Sequence, residues 1–250
     1  MNYYIVTGAS RGLGEAIVKE LLNPNNVIIY LSRTSNPAFD ELAASKKTAI
    51  FFEECDLSDI DQIRAVMKKV FSKIDAKLAN KITLINNAGM VDPIKYVGEA
   101  DEKNIVSAVK LNLLAPMIMS DYFIKESKGY TGQAVIVNIT SGAANRPTAG
   151  WSTYCSVKAG LNMFTNTIGV EQGERENNVI AIAFSPGIMD TQMQSTIRTA
   201  DRKDFSSSNQ FKEYHEKGLL RAPGFVAHLL IKLLSSSLEN GRVYDIKEFI

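Results

Sequence analysis

A chain of 250 residues that is 45% apolar is long enough to bury a substantial core as one α/β domain. A formal net charge of +1, with acidic and basic residues scattered, gives no basis for binding nucleic acid or an anionic membrane. No apolar run approaches the roughly 18 residues of a membrane span, and residues 1–7 read as a strand entering a glycine turn, not as a signal peptide. Cys55 and Cys155 form no C-x-x-C pair and fit ordinary thiols in a reducing cytoplasm. His215 and His228 lack metal-ligand spacing, so no metal is expected.

Residues 3–6 form a short apolar run leading into Thr7-Gly8-Ala9-Ser10-Arg11-Gly12-Leu13-Gly14, and helical periodicity follows at Ile17, Val18, Leu21 and Leu22. Strand, glycine-rich turn and helix in that order aim a helix N-terminus at phosphate. Glycines let the backbone approach a pyrophosphate and supply positive φ where the turn needs it. The spacing is G-x-x-x-G-x-G, not the G-x-G-x-x-G dinucleotide fingerprint, and a plain packing turn would also explain it. Residues 27–31 read as a second, buried strand ending in Ser32-Arg33-Thr34. An acid at that strand end would favour the free 2′-hydroxyl of NAD. Here Ser32 and Arg33 stand instead, and Arg33, with Arg11, can offer a fork to a 2′-phosphate. NADP(H) is therefore expected over NAD(H), with solvated loop arginines as the bland alternative.

A polar helix over 36–46 and a third strand over 48–53 lead to Cys55-Asp56-Leu57-Ser58. Asp56 can accept from an adenine amino group, or Asp56 or Ser58 can cap the next helix. Residues 60–74 carry a helical stripe of Ile63, Val66, Met67, Val70 and Phe71. A fourth strand over 82–85 ends in Asn86-Asn87-Ala88-Gly89, small residues that let the backbone lie against a ribose while the amides fix the turn. Residues 101–125 have long helical periodicity with Asn112 among leucines. An amide there needs partners. Pro116, four residues on, has no N–H for the Asn112 carbonyl, which can hold a water or mark a polar kink.

Residues 133–139 form a fifth strand delivering Thr140-Ser141; a helix over 151–172 carries Tyr154 and Lys158. One helical turn separates them, so they share a face. A phenol titrates near 10 and is a poor proton shuttle at neutral pH unless a neighbouring ammonium lowers that value. With Ser141 holding the oxygen and Tyr154 exchanging the proton, the trio can reduce a carbonyl if something else carries hydride. The Tyr-x-x-x-Lys spacing alone is weak, since nine tyrosines would produce about one such match by chance. Residues 179–184 make a sixth strand, followed by Ser185-Pro186-Gly187.

Taken together, Thr7-Gly8-x-x-x-Gly12-x-Gly14, Asn86-Asn87-Ala88-Gly89, Asn112, Ser141, Tyr154-x-x-x-Lys158 and Pro186-Gly187 resemble the short-chain dehydrogenase/reductase family in order and spacing along nearly the whole chain. The resemblance implies a single-domain, Rossmann-like doubly wound parallel sheet of about seven strands with helices on both faces, the last strand at 243–246 after a helix near 225–235. It implies the tetrad Asn112, Ser141, Tyr154 and Lys158, with Asn112 keeping a water for proton relay and Lys158 holding the nicotinamide ribose. It implies NADP(H) contacts from Gly8, Ser10, Arg11, Gly12, Leu13, Gly14, Ser32, Arg33, Asp56, Leu57, Asn87, Ala88, Gly89, Tyr154, Lys158, Pro186, Gly187 and Thr191. Within the family the chain is similar to benzil reductases that form (S)-benzoin, through residues 7–16, 84–91, 112–117, Trp151-x-x-Tyr154-Cys155 and 158–165, and more loosely to sepiapterin reductases.

Residues 188–222 form a long, mostly polar insertion, expected to be a substrate lid at the strand carboxyl ends. Met189 and Met193 would give it adaptable apolar contacts, and Trp151 would either wall the pocket or sit in the core. Asp245 and Glu248 are candidates for an acidic anchor of the kind pteridine-reducing relatives use. The leading expectation is an NADPH-dependent reductase of ketones or diketones, with a small-molecule carbonyl as its only partner besides its own copies. The resemblance implies a homodimer or homotetramer paired through the helices at 101–125 and 151–172. The alternatives are a sepiapterin-type reductase and a catalytically silent NADP sensor.

Overall fold

Strands buried on both faces are mostly apolar, and strands that run parallel need a crossover between them. The chain meets both conditions in the computed structural model, which describes residues 1–174 and 179–250. The strands are β1 (Asn2–Thr7), β2 (Asn26–Ser32), β3 (Ala49–Glu54), β4 (Lys81–Asn86), β5 (Gln133–Ile139), β6 (Val179–Ser185) and β7 (Val243–Asp245). They form one sheet in the order β3-β2-β1-β4-β5-β6-β7, each neighbouring pair parallel. Each expected strand is present, with ends within a residue or two of those read from the sequence.

Helix α1 (Gly12–Glu20) and helix α9 (Pro223–Leu234) cover one face. Ile17, Val18 and Leu21 meet Val226, Leu230 and Leu233 there over Val6, Ile28 and Phe184. Helix α2 (Ala38–Ser45) adds Phe39 to the same core. The other face is covered by α3 (Ile60–Phe71), α5 (Ala115–Glu126) and α6 (Ser152–Glu174), with Ile63, Met67, Met119, Phe123 and Ile168 buried against Ile5, Ile29 and Leu84.

Three expectations change or gain detail. The helical stretch 101–125 is not one α-helix. It divides into α4 (Glu102–Val109), a π turn (Lys110–Leu114) and α5. Pro116 withholds the N–H that would close the turn on Asn112, and the wider turn follows. The insertion 188–222, read from the sequence only as long and mostly polar, folds into α7 (Gln192–Thr199) and α8 (Ser208–Glu216). The last strand stops at Asp245, whose side chain accepts from Lys247 N while Glu248 accepts from Asp245 N, a capping box that starts a 3₁₀ turn (Ile246–Phe249).

Strand order reverses at β1, which has β2 on one side and β4 on the other. The turns leaving β1 and β4 therefore diverge on opposite sides of one crevice, the place where doubly wound sheets bind ligands.

Candidate active site

The crevice is built first by Thr7, the last residue of β1 and 1% exposed. Its Oγ1 accepts from Asn87 N at 2.9 Å and Ala88 N at 3.0 Å. The Asn87 Nδ2 returns hydrogen bonds to Thr7 O at 2.9 Å and Gly8 O at 3.2 Å. The β1 turn and the β4 turn are thus tied face to face. Gly8, at φ +64°, leaves no room for a side chain: a Cβ there would sit 2.7 Å from Ala88 Cα. A Cβ on Gly14 would meet Gly8 O at 2.3 Å and Asn87 Nδ2 at 2.6 Å, so only glycine lets α1 approach the turn. Arg11 precedes α1 in extended conformation without capping it through its side chain. The first-turn N–H groups keep their preference for an anion. Thr191, which caps α7, lies beside Gly12: its Cγ2 is 3.6 Å from where a Gly12 Cβ would be. A groove of about 800 Å³ begins here, lined by Arg11, Gly12, Glu15, Thr191, Arg198 and Pro223 among others, and none of the tetrad lines it.

The tetrad residues gather across the crevice from that loop. Asn112, in the π turn and 1% exposed, has its amide satisfied: Oδ1 accepts from Met90 N at 3.1 Å, and Nδ2 donates to Met90 O and Ala108 O at 3.0 Å each. It clamps the turn after β4. A Cβ on Gly89 would lie 2.8 Å from Asn112 Oδ1 and 3.7 Å from Lys158 Nζ, which places both side chains on one glycine. Lys158 donates to Ile139 O at 2.9 Å and stands 5.9 Å from the Tyr154 ring centroid. The Ser141 hydroxyl, which lies by the Tyr154 phenol, accepts from Ala143 N at 3.2 Å. Burial pushes the Tyr154 phenol up from its ordinary value, and the Ser141 hydroxyl pulls it back. The lowering expected of the Lys158 ammonium is thus not the dominant effect. Burial also pushes Lys158 down, to about 8, so at neutral pH the ammonium is still mostly charged.

Beneath the site is a polar network the sequence reading did not single out. Asn86 Nδ2 donates to Asn138 Oδ1 at 2.8 Å, and Asn138 Nδ2 donates to Thr165 Oγ1 at 2.9 Å, all buried. Asn138 inside the run Ala-Val-Ile-Val-Asn-Ile was a visible signal, since a buried amide needs a partner. Thr7 gave none beyond its place before Gly8.

Other expected contacts fall differently. Leu13 and Leu57 are buried in the two cores. Ser32 turns its hydroxyl to Thr34 O at 2.7 Å. Asp56 accepts from Ser58 N and Oγ through Oδ1, and the Ser58 hydroxyl is the main cause that lowers its carboxyl. Neither Asp56 nor Ser58 caps α3; Asp59 does, accepting from Asp61 N. Arg33 is exposed next to β2, and its charge reaches Asp56. Pro186 is buried and Gly187 exposed at the end of β6. Met193 packs with Trp151, Tyr154 and Phe205, whereas Met189 packs at the base of the insertion against the α1–α9 core. Trp151 is 7% exposed within that aromatic cluster, closer to a core residue than to an open pocket wall. Among the described residues no group of three or more His, Cys, Asp or Glu is placed to hold a metal, and no helix is long and apolar enough to cross a membrane.

The fold and the tetrad define an oxidoreductase, and the short chain dehydrogenase family model matches residues 2–202, so the chain belongs to that family. A benzil reductase ((S)-benzoin forming) of Bacillus subtilis (strain 168) is 46% identical to it over 250 residues, covering 100% of both chains. Another from Bacillus cereus is 38% identical over 99% of this chain and 100% of its own. The crystal structure of the KRED1-Pglu enzyme superposes with a TM-score of 0.83 at 26% identity, covering 98% of this chain and 100% of that one.

The buried Lys158 makes stability depend on pH. Its value of about 8 in the fold lies below the 10.5 of an exposed lysine, so the unfolded chain binds more protons between those values. Relative to Lys158→Met, the wild type is expected to gain roughly 3 kcal/mol of stability as pH rises from 8 to 10.5, and nothing below 8. Denaturant titrations of both proteins across that range check it; parallel curves would show that Lys158 is charged as easily in the fold as in water.

Proposed function

We propose that the protein is an NADPH-dependent reductase of ketones and vicinal diketones. The convergence of Ser141, Tyr154 and Lys158 beside Gly89 and Asn112 carries this reading. The family is one of nicotinamide-dependent oxidoreductases, and the residues here fit a dinucleotide. An uncapped α1 N-terminus stands at the switch point, and glycines admit no Cβ between the two turns.

In this reading Gly8, Gly12, Gly14 and the start of α1 hold the pyrophosphate, Ala88 and Gly89 flank a ribose, and Lys158 binds the second ribose. When bound, the nicotinamide supplies the hydride. The Ser141 hydroxyl donates to the carbonyl oxygen and Tyr154 Oη gives that oxygen its proton. Lys158 opposes the build-up of negative charge on the phenol oxygen as the proton leaves. The Asn112 carbonyl, which receives no hydrogen bond from Pro116, holds a water that passes a proton in from solvent. Arg33, exposed and beyond the end of β2, supports the choice of a 2′-phosphate. The segment 188–222 acts as the substrate lid. Ile105, Val106, Met163 and Val170 are exposed on α4 and α6, which favours a homo-oligomer paired through those helices. Two unpaired thiols fit a cytoplasmic setting.

The sepiapterin-type alternative calls for an acidic anchor reaching the pocket. Asp245 instead accepts from Ser185 Oγ at 3.0 Å and Lys247 N, and Glu248 from Arg242 at 2.6 Å and Asp245 N. Both carboxylates are committed at the chain's last turn. An intact tetrad weighs against a silent sensor.

The direct test follows loss of reduced-nicotinamide absorbance with benzil and, separately, with sepiapterin. Benzil turnover is expected, falling at least a hundredfold in Tyr154→Phe. Tight NADPH binding with no turnover of either carbonyl would overturn the reading in favour of a sensor. For cofactor choice, Arg33→Asp is expected to weaken NADPH roughly tenfold or more while NADH affinity stays within about twofold. Equal loss for both would remove the role given to Arg33.

A further inference from the structure

The 188–222 segment is fastened at both ends by contacts that involve no cofactor residue. At its base, Arg221 N donates to Ile188 O at 3.1 Å and Asp190 N to Arg221 O at 3.0 Å, with Met189 and Arg221 in a parallel bridge. At its tip, between α7 and α8, the Asp204 carboxylate pairs with Lys95 Nζ at 2.6 Å. The adjacent Phe205 is fully buried and stacks on Trp151, with ring centroids 4.9 Å apart and planes at 17°. Phe211 of α8 packs on both rings.

What the tip is fastened to matters. Lys95 belongs to the same small assembly as Trp151: its N–H donates to Gly150 O at 3.0 Å, and the two residues form a parallel bridge. Gly150 lies at φ +84°, and a Cβ there would come within 2.4 Å of Asp204 O, so backbone meets backbone at this point. Trp151 directly precedes α6 and sits edge-on to Tyr154, with centroids 5.5 Å apart at 68°. One continuous series of contacts therefore runs from Asp204 and Phe205 through Lys95 and Trp151 to the Tyr154 ring.

We infer that Asp204 and Phe205 are positioning residues: they clasp the lid tip onto Trp151 and so fix the orientation of Tyr154 for proton transfer. The inference rests on the proposed role of Tyr154 as the acid. The base bridge lies at the other end of two short helices and cannot set the tip by itself. The Lys95–Asp204 pair sets where the tip lands, and the Phe205 ring sets the plane against which Trp151 and then Tyr154 pack. Proton transfer needs the donor within hydrogen-bond reach of its acceptor, about 2.6–3.2 Å between heavy atoms, and a small displacement of a catalytic ring lowers turnover far more than binding.

Trp151 is the chain's only tryptophan, so its emission reports the clasp directly. The test compares wild type, Asp204→Lys, Phe205→Leu, and the charge swap Lys95→Asp with Asp204→Lys. Wild-type reduction of benzil is measured first, followed by kcat, KM, NADPH affinity and Trp151 emission for each protein. Asp204→Lys and Phe205→Leu are expected to lower kcat about tenfold or more, leave NADPH affinity within about twofold, and shift emission to the red as Trp151 meets water. The swap is expected to regain most of both kcat and the emission. Wild-type kcat in both single variants, or a swap that restores thermal stability and not kcat, would overturn the inference. A wild type that turns over no carbonyl would overturn the proposed function instead. The clasp would then be decided by emission alone: unshifted spectra in both single variants would refute it.

Discussion

One threonine hydroxyl and one asparagine amide hold the two turns of the crevice together, and everything in the site is referenced to that junction. Parallel strands can fix their own register, but the turns beyond their ends have no ladder to fix them. Thr7 Oγ1 accepting two N–H groups from Asn87 and Ala88, with the Asn87 amide returning to Thr7 and Gly8, supplies that missing ladder. The glycines follow from it. Once the turns are this close, a Cβ at Gly8 or Gly14 has nowhere to go. On the far side of the same turn, Asn112 clamps Met90 through its amide, and Gly89 is the floor on which Asn112 and Lys158 rest.

The site is also a place where the fold accepts burial that water would oppose. Lys158 is 5% exposed and its ammonium is disfavoured by desolvation, while Tyr154 is held near its neutral form for the same reason. In the proposed role of proton donor, Tyr154 must be protonated at rest and lose its proton when an oxyanion forms beside it. Burial secures the first condition. The Ser141 hydroxyl and the Lys158 charge, 5.9 Å from the ring, favour the second.

Much of this was legible in the sequence, for definite reasons. Strands buried on two faces leave apolar runs such as Val27 to Leu31, and the resemblance carried by the glycines and by Asn112, Ser141, Tyr154 and Lys158 implied the doubly wound sheet and the gathering of those four residues. Pro116 left a polar kink as one of two readings of the 101–125 helix, and gave no sign of the π turn that divides it. The insertion was legible only as polar and long, because its tip is held through Phe205 to the distant Trp151, and periodicity does not report such contacts. Met189 and Met193 are four residues apart, yet they pack against different cores, since the bridge to Arg221 intervenes at the lid base. Thr7 was passed over for a related reason: its two acceptor bonds come from residues 80 and 81 positions away.

The junction between the two turns is tested most directly by calorimetric binding of NADPH to Thr7→Val, with Thr7→Ser as the variant that keeps the oxygen. Valine leaves the N–H groups of Asn87 and Ala88 without their acceptor, and an unsatisfied donor of this kind costs about 1–3 kcal/mol. The account predicts that Thr7→Val folds with unchanged circular dichroism and binds NADPH at least about tenfold more weakly, while Thr7→Ser binds nearly as the wild type does. Wild-type affinity in Thr7→Val would contradict the account, since the crevice would then hold its shape without the junction.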